Sequence, residues 1–298
     1  MNRAFSACLA ILALTCTAHC AAQVDLGFPK VPEHVVNVPP KVPGRGAEMG
    51  ARLYAPEGPG PFPAVVLSHT SGPLQQHMFQ WAQRLLSAGY AVLVVDHLGP
   101  RNRNSNLDHG VSVTEYAQDD VAGMRHLRSL PFVDGKRIAQ MGFSYGAMAG
   151  LREASAGFRA KNLDAERFAA IVSVYPWCNQ QVGRTRQDHQ FNFYGDTDVP
   201  LLVVLGADDD EADPRSCVEQ AQANAAKGLP VEFTVLPGTT HAFDHTWMQS
   251  PVVTQQAGHS VTYRYNPESV EATWRLTVAF LARHLAGGPT PRPGHPPA

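Results

Sequence analysis

The sequence predicts an α/β fold in which a mostly parallel sheet carries helices on both faces. Short, continuously apolar runs recur along the chain, as in strands that are buried on both sides. Segments with apolar residues at helical spacing alternate with these runs, and such alternation is typical of parallel strands joined by helical crossovers. The chain has 298 residues, of which 44% are hydrophobic and 17% are charged, so it can bury a substantial core and global disorder is excluded.

The individual elements follow from this pattern, and glycine or proline marks several of their ends. The predicted strands cover residues 49–54, 64–67, 90–95, 137–141, 169–175, 201–205 and 231–236, and the predicted helices cover residues 79–86, 116–130, 145–153, 216–227 and 267–284. The first strand is followed by Pro56 and the fifth strand by Pro176. The first helix is followed by Gly89 and the second helix by Pro131. Pro267 stands in the first turn of the last helix, where proline is favoured.

The two ends of the chain depart from this pattern. Residues 1–22 run from a basic residue through an apolar stretch to small residues, which is the order of a secretory signal peptide. We therefore expect a periplasmic or secreted protein without a stable membrane anchor after cleavage, with a lipoprotein at Cys16 or Cys20 as the alternative. Residues 23–46 are predicted to form an extended, proline-rich lead-in with at most an edge strand. Residues 47–285 are predicted to form the α/β domain, and residues 286–298 a disordered tail.

Cysteine usage agrees with export. Cleavage after Ala22 would leave two of the five cysteines, Cys178 and Cys217. These two follow consecutive predicted strands, and consecutive parallel strands usually lie side by side. In an oxidising compartment, the pair is expected to form a disulfide, with two buried thiols as the alternative.

A candidate nucleophile lies at residues 142–146, which read Gly-Phe-Ser-Tyr-Gly and match the G-x-S-x-G pattern. The segment stands between a predicted strand and a predicted helix, which is the context that the pattern requires. Its two glycines are explained by the tight turn, because a side chain there would collide with the next helix or the neighbouring strand. Ser144 is therefore the predicted nucleophile, and its hydroxyl needs a general base.

His241 is the predicted base, and an acid that orients it is expected one strand earlier. His241 follows the last predicted strand and the Gly238 turn, at the sheet edge where α/β proteins carry their sites. The acid is expected at residues 206–214, which read Gly-Ala-Asp-Asp-Asp-Glu-Ala-Asp-Pro, with the other acidic residues solvated or capping the next helix. This loop lacks the spacing of a calcium site and the chain lacks H-E-x-x-H, so no metal and no cofactor are expected.

An oxyanion formed by attack of Ser144 would need two backbone N–H donors. One is expected from Tyr145, the residue after the nucleophile. The other is expected from the loop after the strand at 64–67, from Ser71 with Thr70 as the alternative.

Taken together, these motifs resemble the dienelactone hydrolase family of the α/β-hydrolases, over roughly residues 47–285. The resemblance rests on residues 68–72, 142–146, 205–214 and 238–243. It implies an α/β-hydrolase fold and a Ser-His-Asp triad. The family's spacing from the loop glycine indicates Asp209 as the acid, whereas its spacing to the proline indicates Asp210. We choose Asp209, because the strand end defines its position more directly, and keep Asp210 as the alternative.

The chain also departs from that family's pattern. The family's name-giving enzymes have a cysteine nucleophile and a glutamate in the first oxyanion loop, whereas this chain has Ser144 and no glutamate at residues 68–72. The resemblance therefore supports the fold and the triad, and it leaves the substrate open.

These observations predict an exported serine hydrolase that cleaves a carboxylic ester or lactone through an acyl-enzyme. The alternatives are a peptidase or amidase with the same triad, and a non-catalytic binding protein of the same fold. A small-molecule ester is the expected partner, because the net charge of -2 and the scattered basic residues do not indicate nucleic acid. Only residues 176–199 separate the fifth and sixth strands, which predicts a minimal lid. The oligomeric state stays open.

Overall fold

An eight-stranded, mostly parallel sheet confirms the predicted α/β architecture. The structure is a computed structural model that describes residues 34–38, 49–181, 189–256 and 259–285. The strands are β1 (His34–Val38), β2 (Met49–Tyr54), β3 (Phe62–Ser68), β4 (Ala91–Asp96), β5 (Val133–Phe143), β6 (Ala170–Val174), β7 (Asn179–Gln181), β8 (His189–Phe191), β9 (Leu201–Gly206), β10 (Val231–Leu236), β11 (Val252–Gln256) and β12 (His259–Tyr263). The helices are α1 (Gln76–Ser87), α2 (Val113–Arg128), α3 (Tyr145–Glu153), α4 (Ala156–Asn162), α5 (Pro214–Ala226) and α6 (Pro267–His284).

Strand order places the parallel strands together at the centre of the sheet. The order is β1-β2-β4-β3-β5-β6-β9-β10, and only the pairings of β2 with β1 and with β4 are antiparallel. The carboxyl ends of β5, β6, β9 and β10 therefore meet at one edge of the sheet. Loops that follow these strands can bring residues distant in sequence to one site.

Each face of the sheet has its own apolar layer, because side chains alternate along every strand. On β3, Ala64 and Val66 belong to the layer that α2, α3 and α5 cover, whereas Val65 and Leu67 belong to the layer that α1 and α6 cover. Every one of these four residues is fully buried. Strands buried on both sides explain the continuously apolar runs in the sequence.

Some elements were not predicted from the sequence. Helix α4 and the two-stranded pairs β7–β8 and β11–β12 are additional, and β5 begins at Val133, earlier than the predicted residue 137. The edge strand β1 lies within the predicted lead-in. The predicted signal peptide at residues 1–22 and the predicted tail at 286–298 lie outside the described residues. None of the helices that are described is long and apolar enough to cross a bilayer.

A disulfide joins Cys178 to Cys217 across neighbouring elements. Cys178 follows β6 and Cys217 lies in the first half of α5, which follows β9. Strands β6 and β9 are hydrogen-bonded neighbours, as predicted for consecutive parallel strands, and the two cysteine Cα atoms lie 5.1 Å apart. The bridge links the chain after β6 to the helix that begins directly after the acidic loop.

Candidate active site

Ser144 lies at a strained turn between β5 and α3. Its φ of 49° and ψ of -108° are values that a non-glycine residue rarely adopts. A Cβ atom at Gly142 would lie 2.2 Å from the carbonyl oxygen of Gly146, and one at Gly146 would lie 2.4 Å from that of Ser68. The glycines of the motif are therefore required by close backbone approach, as the sequence predicted.

His241 contacts Ser144 and Asp209 through opposite nitrogens of its ring. Its Nε2 lies 2.9 Å from Oγ of Ser144, and its Nδ1 lies 2.7 Å from Oδ2 of Asp209. The three residues come from the loops after β5, β9 and β10. In sequence, Ser144 is 97 positions and Asp209 is 32 positions from His241. All three side chains are buried, and Ser144 retains 7% exposure.

The acidic loop after β9 distributes its side chains among different roles. Asp209 contacts His241 and also accepts hydrogen bonds from the backbone amides of Glu211 and Ala212, which hold its carboxylate in place. Asp210 instead accepts from the backbone N–H of Thr262, on the neighbouring strand β12. The structure therefore brings Asp209, and not Asp210, to the histidine.

Two further acidic residues of this loop differ in their surroundings. Asp213 caps α5 by accepting a hydrogen bond from the backbone N–H of Arg215, which is one of the roles predicted for the other acidic residues of the loop. Glu211 was predicted to be solvated or to cap a helix, but the structure places it beside His241. Its Oε2 lies 3.9 Å from Nε2 of His241 and accepts a hydrogen bond of 2.5 Å from the hydroxyl of Tyr263.

The surrounding carboxylates control the protonation of His241. Burial by itself lowers the pKa of this imidazole, but the carboxylates of Asp209 and Glu211 outweigh it and raise the pKa to about 9. Asp244 adds to this effect. The Asp244 carboxylate is held by the indole N–H of Trp81 at 2.8 Å and the hydroxyl of Tyr175 at 2.7 Å.

A small cleft of about 110 Å³ opens above Ser144. Tyr145 and Ser71, the predicted oxyanion donors, both line it. The amide of Tyr145 is at the first position of α3, where helix amides lack intrahelical partners. The cleft is lined by Ser71, Asn106, Leu107, His109, Ser144, Tyr145, Met148, Trp177 and Glu211.

Several of these lining residues were not predicted from the sequence. Asn106, His109 and Trp177 carry no recognised motif, and they come from loops whose paths depend on the fold. Asn106 makes the most hydrogen bonds of these three residues. Its side chain donates to the carbonyl of Val111 and accepts from the backbone N–H of Val111, and its own backbone N–H donates to the carbonyl of Ser71. It thereby ties two cleft-lining loops together. Glu211 could have been found from the sequence, because it lies two residues after Asp209, the predicted acid.

The described part of the chain contains no cluster of three or more His, Cys, Asp or Glu residues that could hold a metal ion. The reactive groups of the site are a hydroxyl, an imidazole and carboxylates, together with backbone amides at a helix N-terminus. This set is suited to attack on a polarised carbonyl.

The parallel sheet, the strained serine after β5 and the histidine after the last strand of the sheet define an α/β-hydrolase. More narrowly, the chain belongs to the dienelactone hydrolase family, whose family model matches residues 49–285.

A curated esterase matches part of the chain at lower sequence identity. Esterase FrsA of Klebsiella pneumoniae (strain 342) is 29% identical over 143 residues, which are 45% of this chain and 30% of that protein. The chain therefore spans about a third of the length of this curated relative.

Solved structures with the same fold include two esterase-like enzymes. One is the propionate-bound esterase Est2 of Thermogutta terrifontis, with a TM-score of 0.62, 16% identity and coverage of 88% of this chain and 98% of that one. The other is P91, a dienelactone hydrolase-like promiscuous phosphotriesterase from metagenomic libraries, with a TM-score of 0.61, 18% identity and coverage of 85% and 98%.

Proposed function

We propose that this protein is a serine hydrolase that cleaves small carboxylic esters or lactones through an acyl-enzyme on Ser144. The observation that carries the proposal is the position of His241, whose two ring nitrogens contact Ser144 at 2.9 Å and Asp209 at 2.7 Å. A serine hydroxyl becomes a competent nucleophile when an oriented imidazole removes its proton. Membership of the dienelactone hydrolase family supports the same chemistry.

Each half of the reaction follows from these contacts. Oγ of Ser144 bonds to the carbonyl carbon while its proton passes to Nε2 of His241, and Asp209 stabilises the imidazolium. The amides of Tyr145 and Ser71 are the proposed donors to the oxyanion. The bond to the leaving oxygen then breaks, and that oxygen takes the proton from Nε2. In the second half, water gives a proton to Nε2 of His241 and its oxygen bonds to the acyl carbon. The bond from that carbon to Oγ of Ser144 then breaks, Oγ takes the proton from Nε2, and the acid leaves.

The size of the cleft favours a short acyl group. A cleft of about 110 Å³ that must also receive the alcohol part leaves room for only a few non-hydrogen atoms on the acyl side. Propionate bound to the related fold of Est2 is of this size. We therefore expect acetate and propionate esters to be cleaved with higher kcat/KM than long-chain esters.

Labelling with a fluorophosphonate probe tests the nucleophile directly. Ser144 is expected to carry the label in a peptide digest, and Ser144→Ala is expected to lose both the label and ester hydrolysis. Ser250→Ala is the matched control, because Ser250 is exposed and does not line the cleft above Ser144. A label on another serine, or normal turnover by Ser144→Ala, would contradict the proposal. A non-catalytic binding protein would take up no label. A peptidase or amidase would cleave an amide faster than the ester with the same acyl group.

We also propose that the protein is exported to the periplasm or secreted. The order of residues 1–22 and the pairing of Cys178 with Cys217 support this location. Expression of the full chain in a bacterium, followed by fractionation and N-terminal sequencing, tests it. A mature N-terminus near Gln23 in the periplasmic fraction is expected, and uncleaved protein in the cytoplasm would contradict it.

A further inference from the structure

Glu211 is an acidic residue that faces the reacting atoms without belonging to the proposed triad. Its Oε2 lies 3.9 Å from Nε2 of His241, the nitrogen that contacts Ser144. The Glu211 side chain is 16% exposed and lines the same cleft as Ser144. The hydroxyl of Tyr263 holds the carboxylate in this position.

Among the residues whose positions are described, Glu211 has no permanent cation as a partner. Within the residues that the structure describes, its one ion-pair contact is with His241, and the cleft lining includes no lysine or arginine. The other acidic side chains of the loop have their own partners. Asp209 contacts Nδ1 of His241, and Asp213 forms an ion pair with Arg215. When His241 is neutral and able to act as a base, the cleft carries a negative charge next to the nucleophile.

This charge lies on the side of the cleft where the alcohol part of an ester departs. Nε2 of His241 is the atom that returns the proton to the leaving oxygen, so the leaving group must approach it. Glu211 is next to that nitrogen. The aromatic rings of Trp177 and Tyr145 also line the cleft, and aromatic faces attract cations.

Resting on the serine-hydrolase function proposed above, we propose that Glu211 makes this cleft select esters whose alcohol part carries a cation and disfavour those whose alcohol part carries an anion. The substrate class is therefore small esters of amino or quaternary-ammonium alcohols. Neutral esters of the same shape are intermediate substrates.

Coulomb's law sets the size of the expected effect. Two unit charges about 5 Å apart change an equilibrium roughly fourfold in a water-like dielectric and a few hundredfold at an effective dielectric of about 20. Because Glu211 is partly exposed, we expect a preference near the lower end, about tenfold in kcat/KM between the cationic ester and its neutral analogue.

Three acetate esters of nearly equal shape test this proposal. They are 2-trimethylammonioethyl acetate, 3,3-dimethylbutyl acetate and 2-sulfoethyl acetate, which carry a positive, zero and negative charge. All three form the same acetyl-enzyme, so differences in kcat/KM report the acylation step alone. Rates are measured by pH-stat on the full mature protein at one alkaline pH and constant ionic strength. The wild type is expected to rank them cationic, neutral, anionic.

Glu211→Gln removes the charge and keeps an oxygen that can accept from Tyr263. The variant is expected to bring the three kcat/KM values within about twofold of one another, since the cleft lining no longer carries the carboxylate charge of Glu211. Its effect on the pKa of His241 cancels, because the ratios compare substrates at one pH. Glu219→Gln is the matched control, because it removes one negative charge from an exposed position on α5 and is expected to keep the wild-type ratios.

The possible outcomes separate this proposal from the one on which it rests. Hydrolysis of all three esters with equal kcat/KM by the wild type, or an unchanged ranking in Glu211→Gln, would overturn the role of Glu211 and leave the serine hydrolase standing. Absence of turnover on every ester, without labelling of Ser144, would overturn the proposed function itself. Tyr263→Phe provides an independent check, because it keeps the Glu211 charge and should keep the ranking.

Discussion

Nε2 of His97 lies 2.9 Å from Oγ of Ser68, the last residue of β3, and both side chains are fully buried. Nδ1 of the same ring lies 2.9 Å from Oδ2 of Asp119, which Arg101 also holds. The chain thus contains a second serine–histidine–aspartate arrangement. Ser68 has no exposed surface, whereas Ser144 lines the cleft, so only Ser144 can meet a substrate. The second arrangement supports the backbone from which the proposed oxyanion loop begins.

Ser68→Ala is expected to destabilise the fold by about 1–3 kcal/mol, because it leaves Nε2 of His97 buried without its hydroxyl partner. For a domain of this size, that corresponds to a fall in Tm of a few degrees. Urea unfolding monitored by circular dichroism measures the change, with the exposed Ser250→Ala as control. Fluorophosphonate labelling of Ser144 should persist. An unchanged unfolding midpoint would show that the buried contact contributes nothing to stability.

Asp209→Asn is expected to lower kcat by roughly 10³–10⁴-fold, since an amide cannot hold His241 in the required tautomer or stabilise its imidazolium. Asp210→Asn is the matched comparison, because Asp210 contacts the amide of Thr262 instead of His241. We expect it to retain activity within about tenfold of wild type. Steady-state kinetics on a short nitrophenyl ester distinguishes the two. The reverse order of damage would make Asp210 the acid.

The activity is expected to rise with pH through the alkaline range. His241 must be neutral to accept the proton of Ser144, and its neighbouring carboxylates raise its pKa to about 9. Below that pH, the imidazole is protonated and kcat/KM falls, whereas above it kcat/KM reaches a plateau. Glu211→Gln removes one of the charges that raise this pKa, so the inflection should move towards neutral pH. An inflection near 6.5 in the wild type, the ordinary histidine value, would contradict the expectation.

Removal of the disulfide is expected to destabilise the protein without abolishing catalysis. The bridge closes a loop with a sequence separation of 39, for which chain entropy predicts about 3–4 kcal/mol. Replacement of Cys178 and Cys217 by serine should lower the free energy of unfolding by about that amount. Urea unfolding of the double variant, beside wild type with and without reductant, measures it. A double variant as stable as the oxidised wild type, or free thiols in exported protein, would argue against the bridge.

The sequence by itself determined the architecture and two of the proposed catalytic residues. Hydrophobic periodicity is a local property, so the alternating strands and helices could be predicted with ends that differ by a few residues. Ser144 could be predicted because its two glycines are sequence neighbours with a steric purpose that the structure bears out. His241 followed from its place after the last strand of the sheet.

The sequence favoured Asp209 as the acid and kept Asp210 as the alternative, and tertiary structure decided which neighbour in this loop faces which partner. Asp209, Asp210 and Glu211 are consecutive, and no local rule states that one contacts His241, the next β12 and the third the cleft. Likewise, Ser68 and His97 are 29 positions apart, and neither carries a motif for the other. Such contacts depend on the packing of whole elements, because a turn shifted by one residue would redirect each side chain while leaving the composition of the loop unchanged.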